Sequence, residues 1–219
     1  MIGIVTGLAA EARCCDGRFV RCEGPGAERA ARACEILLGH GVGGLVSFGL
    51  AGGLAPALRP GAVVLASEVV LEDGRRMLPH GAWRERLRER LAVFGPVETP
   101  LAVSTQVVTC ATAKADLTKT TGAGAVDMES GAIALCATAG GVPFVVVRVT
   151  ADPAERTLPP VAEAGVDANG RLRPLRLFQA LARHPGQGGA LFRLAQDSRT
   201  AFARLRRVAE RAGADFAFL

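Results

Sequence analysis

The run Phe144-Val145-Val146-Val147-Arg148-Val149-Thr150 limits the fold more than any other segment. Val142-Pro143 ends a helical pattern and opens it, and Ala151-Asp152 closes it. A strand this apolar belongs at the centre of a sheet covered on both faces, as in α/β proteins. Around it, β-rich runs alternate with helical patterns from the first residues onward. Strands are predicted at 2–6, 18–22, 45–48, 62–71, 101–105, 123–127 and 144–150. Helices are predicted near 27–38, 83–94, 113–120 and 129–139. In the first helix Ala27, Ala30, Ala31, Cys34, Leu37 and Leu38 keep the three-and-four spacing of one buried stripe.

Beyond Asp152 the pattern changes. Pro153, Pro159 and Pro160 make 152–161 a loop of the kind that closes over sites. Two basic amphipathic helices are predicted after it, near 175–182 and 189–211, divided by His184-Pro185-Gly186. With no repeat, low-complexity segment or second domain in view, 1–219 reads as a single domain with a basic helical extension from about 171.

With 219 residues, 49% hydrophobic and 21% charged, the chain can bury a full core. No apolar run approaches the ~18 residues of a membrane span. Met1-Ile2-Gly3-Ile4-Val5-Thr6-Gly7 reads as a buried first strand, not a signal peptide. The six cysteines include no C-x-x-C pair, which argues against a disulfide framework or a zinc site and fits a reducing cytoplasm. His40, His80 and His184 are scattered without metal-ligand spacing, and neither a metal nor an organic cofactor is expected.

The net charge of +5 is almost wholly arginine, since Lys114 and Lys119 are the only lysines. Ten arginines fall between Arg171 and Arg211. Without an aromatic- or glycine-interleaved module, this cluster does not point to nucleic acid. Its apolar stripe, including Leu191, Leu194, Leu205 and Val208, has two readings. It packs on the core with the arginines solvated, the usual place of a last helix, or it lies on the inner face of a membrane with the arginines at anionic headgroups.

The acids carry the chemistry. Ala125-Val126-Asp127-Met128-Glu129-Ser130 sets two acids one methionine apart where a short strand hands over to a helix of small residues. Asp152 ends the next strand. Such strand ends are where open α/β sheets place ligand-binding groups. Two carboxylates there suit a reaction that builds positive charge on a sugar and protonates a leaving group. The same residues also suit helix capping, and Asp152 the cap of a turn starting at Pro153. Three glycine-bearing segments accompany them: Gly7-Leu8-Ala9-Ala10-Glu11, Glu23-Gly24-Pro25-Gly26-Ala27-Glu28-Arg29 and Ser47-Phe48-Gly49-Leu50-Ala51-Gly52-Gly53-Leu54. The second precedes a helix whose free N–H groups suit an anion, and the last allows close backbone approach to a ligand.

In this order the motifs resemble the nucleoside phosphorylase and nucleosidase superfamily that includes methylthioadenosine/S-adenosylhomocysteine nucleosidase, over roughly residues 1–157. More narrowly, Thr6-Gly7-Leu8-Ala9-Ala10-Glu11-Ala12-Arg13, Asp127-Met128-Glu129-Ser130, Asp152-Pro153-Ala154-Glu155-Arg156 and the arginine-rich tail look like its hopanoid-associated phosphorylase branch. The resemblance implies a three-layer α/β/α sandwich with a central mixed sheet, a homo-oligomer, and an enzyme that cleaves the N-glycosidic bond of an adenine nucleoside. The narrower one implies phosphorolysis of adenosylhopane, releasing adenine in hopanoid biosynthesis, with phosphate as co-substrate. Hydrolysis of methylthioadenosine or S-adenosylhomocysteine is the alternative. A non-catalytic nucleoside- or lipid-binding protein on the same fold is a third.

Carried over residue by residue, Glu129 matches the acid that grips the ribose hydroxyls, and Met128 the residue packed beneath the ribose. Asp152 matches the acid that delivers a proton toward N7 of the purine, and Glu11 the acid that positions the attacking water in the nucleosidases. Ala51 and Gly52 fall in the segment that approaches the substrate. Apart from the resemblance, Arg29 beside the Gly24–Gly26 turn, with Gly26, is the expected phosphate ligand, since arginine suits phosphate geometry, the alternative being an Arg29 on a solvated helix face; Asp127 has no assigned contact. Leu50 stands where the nucleosidases have a serine, and Val108 near their base-stacking phenylalanine. Both departures fit a bulkier, more apolar substrate than methylthioadenosine.

Overall fold

The computed structural model describes residues 1–17, 19–157 and 188–218. Its strands are β1 (Gly3–Val5), β2 (Val20–Arg21), β3 (Leu45–Gly53), β4 (Val63–Val70), β5 (Arg76–Met77), β6 (Val97–Val103), β7 (Ala125–Asp127) and β8 (Phe144–Asp152). The helices are α1 (Ala9–Ala12), α2 (Ala27–Gly39), α3 (Gly81–Arg90), α4 (Ala111–Thr121), α5 (Ser130–Ala139) and α6 (Gly188–Ala212). All eight strands join one mixed sheet.

The apolar run forms β8, parallel to β3 on one side and antiparallel to β4 on the other. Further along, Gly52 and Gly53 of β3 pair with Val126 and Ala125 of β7. Strand β7 pairs with β6, and β6 with β4. The pairing therefore runs β3–β8–β4–β6–β7 and back to β3, a closed circuit extended by β1, β2 and β5. Closure brings the ends of β3, β7 and β8 together, and with them the acids at 127 and 152.

Alternation along β8 explains the two helical layers. Phe144 and Val146 pack with Ala30, Cys34 and Leu37 of α2 and Ile133 and Ala137 of α5. Val145, Val147 and Val149 face the other way, onto Trp83 and Leu87 of α3 and Leu205 and Val208 of α6. Arg148 and Thr150 share the parity of Phe144 and therefore the α2/α5 face, whereas Asp152 follows the register shift after Thr150. Ser47, Gly49 and Ala51 of β3 follow Leu45 onto the same face.

Several boundaries differ from expectation. Strand β3 continues past Phe48 to Gly53, because β8 supplies partners along its length, with a register shift at Ala51/Gly52. Strand β6 starts at Val97, drawn in by parallel pairing with Val64 of β4. Helix α3 stops at Arg90, where a 3-10 turn over Ala92–Phe94 ends on a left-handed Gly95. Two short elements, α1 and β5, carry too little periodicity to be expected from sequence. The helix expected at 175–182 lies outside the described residues.

Helix α6 matches its expected span and decides part of the question about its stripe. Ala201, Leu205, Val208, Ala209 and Ala212 are buried in the core. Arg204 and Arg207 lie over the Phe94 ring. The expectation that this stripe meets a membrane therefore fails for Leu205 and Val208, which already cover the sheet. Among the described residues no helix is long and apolar enough to cross a membrane.

Candidate active site

Four carboxylates from three parts of the chain reach one cavity of about 640 Å³: Glu11, Asp127, Glu129 and Asp152. Met128, Ala51, Gly52 and Val108 line the same cavity. Of the expected site residues, only Arg29 and Gly26 are not in its wall, although Pro25 is. A second concavity of about 670 Å³, between β6 and α4, shares Val108 and gathers none of the four acids.

Glu11 reaches the cavity from α1. Its Oε2 accepts from the N–H of Leu8 at 2.8 Å and of Gly7 at 3.0 Å, closing half of a capping box. Its Oε1 accepts from Leu50 N–H of β3 at 2.8 Å. Burial pushes its pKa up from 4.5 to about 7, against the pull of Arg148 and with the push of Glu129.

Glu129 is the N-cap residue of α5, yet its side chain does not cap that helix. Its Oε1 instead accepts from Gly26 N–H at 2.9 Å, tying the cavity wall to the N-terminus of α2. The expected phosphate donor Gly26 thus already serves a carboxylate. Arg29 turns its guanidinium to the Pro25 carbonyl at 3.4 Å. Burial raises the Glu129 pKa from its ordinary value, with Arg148 opposing.

Asp127 does the capping. Its Oδ1 accepts from Ser130 N–H at 3.1 Å and its Oδ2 from the Ser130 hydroxyl. Arg148 Nη2 approaches Asp127 Oδ2 at 2.5 Å and Glu129 Oε2 at 3.7 Å, and donates to Ser47 Oγ at 2.7 Å. The guanidinium is 1% exposed. Burial alone would lower its pKa, but Asp127, Glu129 and Glu11 outweigh that and raise it.

Glycine makes this crowding possible. A Cβ at Gly49 would stand 2.6 Å from Arg148 Nη1 and 2.7 Å from Glu11 Oε1. A Cβ at Gly7 would stand 2.8 Å from Glu129 Oε1. Both contacts are closer than a side chain tolerates, so these glycines let backbone meet functional groups.

Asp152 ends β8 with its carboxyl in contact with the Lys114 ammonium of α4. Lys114 Nζ also donates to the Pro153 carbonyl at 2.9 Å. Burial raises the Asp152 pKa, while Lys114 and Arg156 lower it and Asp197 adds to the rise. Sequence reasoning missed both cations. The available signals were an arginine inside the most apolar strand and one of only two lysines in the chain.

Chemically, the cavity combines Glu11, Glu129 and Asp152, whose pKa values burial raises, with an apolar wall that includes Leu8, Leu50 and Val107. Such a site can stabilise positive charge and give up a proton near neutrality.

The profile described as Phosphorylase superfamily matches residues 16–179. No curated protein matches the sequence. Among solved structures, the chain is similar to the 5′-methylthioadenosine/S-adenosylhomocysteine nucleosidase of Neisseria meningitidis in complex with methylthio-immucillin-A. That likeness is 19% identical, covers 96% of this chain and 97% of the other, and has a TM-score of 0.69. The S-adenosylhomocysteine nucleosidase of Streptococcus pyogenes in complex with 5-methylthiotubericidin is 20% identical over 97% of each chain, at a TM-score of 0.68. The futalosine hydrolase of Helicobacter pylori is 17% identical over 95% of this chain and 97% of its own, also at 0.68. At these identities the likenesses establish the fold. The profile match, which spans most of the chain, establishes the family: this protein is an enzyme of the phosphorylase superfamily.

Proposed function

We propose that this enzyme cleaves the N-glycosidic bond of an adenine nucleoside with an apolar 5′ substituent, adenosylhopane being the substrate that its motifs favour, with phosphate as the attacking group. The convergence of Glu129, Asp152 and Glu11 on one cavity carries the reading. Glu129 holds the two ribose hydroxyls, a bidentate and charge-assisted contact that orients the sugar. Asp152, its pKa raised by burial, delivers a proton to N7 so that adenine leaves neutral. The carboxylates face the positive charge that develops at C1′ as the bond opens. Leu8, Leu50, Val107 and Val108 supply the apolar surface for a bulky substituent. Phosphate rests on the motif resemblance; the cation nearest the Gly26 turn is Arg29 in the first turn of α2, which would have to leave the Pro25 carbonyl to reach it.

One observation favours a second reading, hydrolysis. Among the described residues lining the cavity there are four acids and no Lys, Arg or His. An acidic wall repels a phosphate dianion and tolerates water, and Glu11, with a pKa of about 7, is suited to take a proton from it. Adenosylhopane and methylthioadenosine, each supplied with and without phosphate, separate the cases. Adenine with a sugar 1-phosphate, formed only when phosphate is present, is expected. Free sugar at an unchanged rate without phosphate selects hydrolysis, and no adenine from either nucleoside overturns both.

A further inference from the structure

Helix α4 buries one residue fully, and it is a lysine. Lys114 is 1% exposed, and the groups around its ammonium are the Asp152 carboxyl and the Pro153 carbonyl. An apolar side chain would settle there without the desolvation that an ammonium suffers, so packing gives no reason for the charge. Lys119, the only other lysine, is exposed and pairs with Asp116 within the helix.

Given the glycosidic reading above, on which it rests, we propose that Lys114 is a positioning residue for the proton donor: it fixes the Asp152 carboxyl through one oxygen and stabilises the carboxylate formed when the proton leaves. As the C1′–N9 bond breaks, its electron pair passes to the base. Asp152 gives its carboxyl proton to N7, and the attacking oxygen closes on C1′. Lys114 keeps its protons throughout. The carboxylate thus forms against a fixed ammonium in a site shielded from water, where such preorganised charge counts most.

The geometry separates this role from anchoring the loop after β8. That loop has two further ties, Arg59 with Glu155 and Arg156 with Asp197 of α6 at 3.0 Å. The charged groups acting on Asp152 are Lys114 from α4, Arg156 four residues on and Asp197 from α6. Gly52 of β3 and Val126 of β7, which pack beside it, carry no charge.

The test compares Lys114→Met and Lys114→Arg with the wild type, using the adenine nucleoside that the wild type cleaves. Far-UV circular dichroism confirms that each variant is folded. Lys114→Met should lower kcat about ten- to a hundredfold, at or below the ~10²–10³ that one preorganised group contributes, with little change in KM. Without the ammonium Asp152 becomes a weaker acid, so the basic limb of the pH profile should move upward by about 1–3 units, the usual effect of a neighbouring opposite charge. Lys114→Arg keeps the charge and should hold the limb near its wild-type position. In an Asp152→Asn background, Lys114→Met should cause no further loss. A Lys114→Met profile that is lowered without moving, or an additive loss in the double variant, would overturn the proposal and leave the glycosidic reading intact. Absence of adenine release by the wild type would instead overturn that reading.

Discussion

Arg148 shows how a few side chains set the state of the whole site. It lies within 2.5 Å of Asp127 and 3.7 Å of Glu129, and its charge also acts on Glu11. Arg148→Met removes the cation and leaves acids buried without it. Breaking a buried pair in this way costs ~3–5 kcal/mol, so the urea midpoint of the variant should fall by a corresponding amount. An unchanged midpoint would mean that the acids do not depend on the arginine. Glu11 adds a pH dependence of definite sign. Its folded pKa of about 7 lies above the ordinary 4.5, so the folded state holds a proton that the unfolded chain releases first. The resulting stability is present below pH 4.5 and is lost as pH rises through about 7. Glu11→Gln should flatten that decline, as measured by thermal unfolding across the interval. The raised Glu129 and Asp152 act in the same direction and leave a residual slope.

Among the elements, β3 carries the site's tightest constraint. The sequence ends this strand at Phe48, before its glycines, yet the strand continues through them, because β8 and then β7 supply hydrogen-bond partners. Glycine patterns mark close approach but do not say what approaches; here the Arg148 guanidinium and the Glu11 carboxylate meet at Gly49. Gly49→Ala should therefore destabilise the protein by ~1–3 kcal/mol, the range for overpacking, and reduce activity along with it. Wild-type stability and turnover in this variant would show that the neighbours yield freely. The acids at 11, 127, 129 and 152 were legible because their motifs follow strand ends in order. Lys114 and Arg148 were not, since a cation inside an apolar strand or short helix has no periodic signature. Its meaning depends on partners far away in sequence.

For the molecule as a whole, the sheet's closed circuit and its two helical layers were only partly legible. Alternation of strands and helices implied an α/β fold and the family resemblance a three-layer sandwich on a mixed sheet, but the return of β7 onto β3 rests on two long-range pairs, Gly52 with Val126 and Gly53 with Ala125. The basic tail was ambiguous for a different reason: an amphipathic stripe looks the same whether it meets lipid or core. Leu205 of α6 is fully buried against the sheet. Leu205→Ala should cost ~2–5 kcal/mol, as for other buried leucines, and calorimetry should show a lower Tm. A Tm equal to that of the wild type would mean that α6 does not cover the sheet.

All three scales meet in the proton that we propose passes from Asp152 to the leaving base, and the turnover of Asp152→Asn tests it most directly. On the adenine nucleoside that the wild type cleaves, kcat should fall by ~10²–10⁴-fold, the usual worth of general acid catalysis, while substrate binding is largely kept. Adenine release by Asp152→Asn at close to the wild-type rate would contradict the assignment of Asp152 as the proton donor.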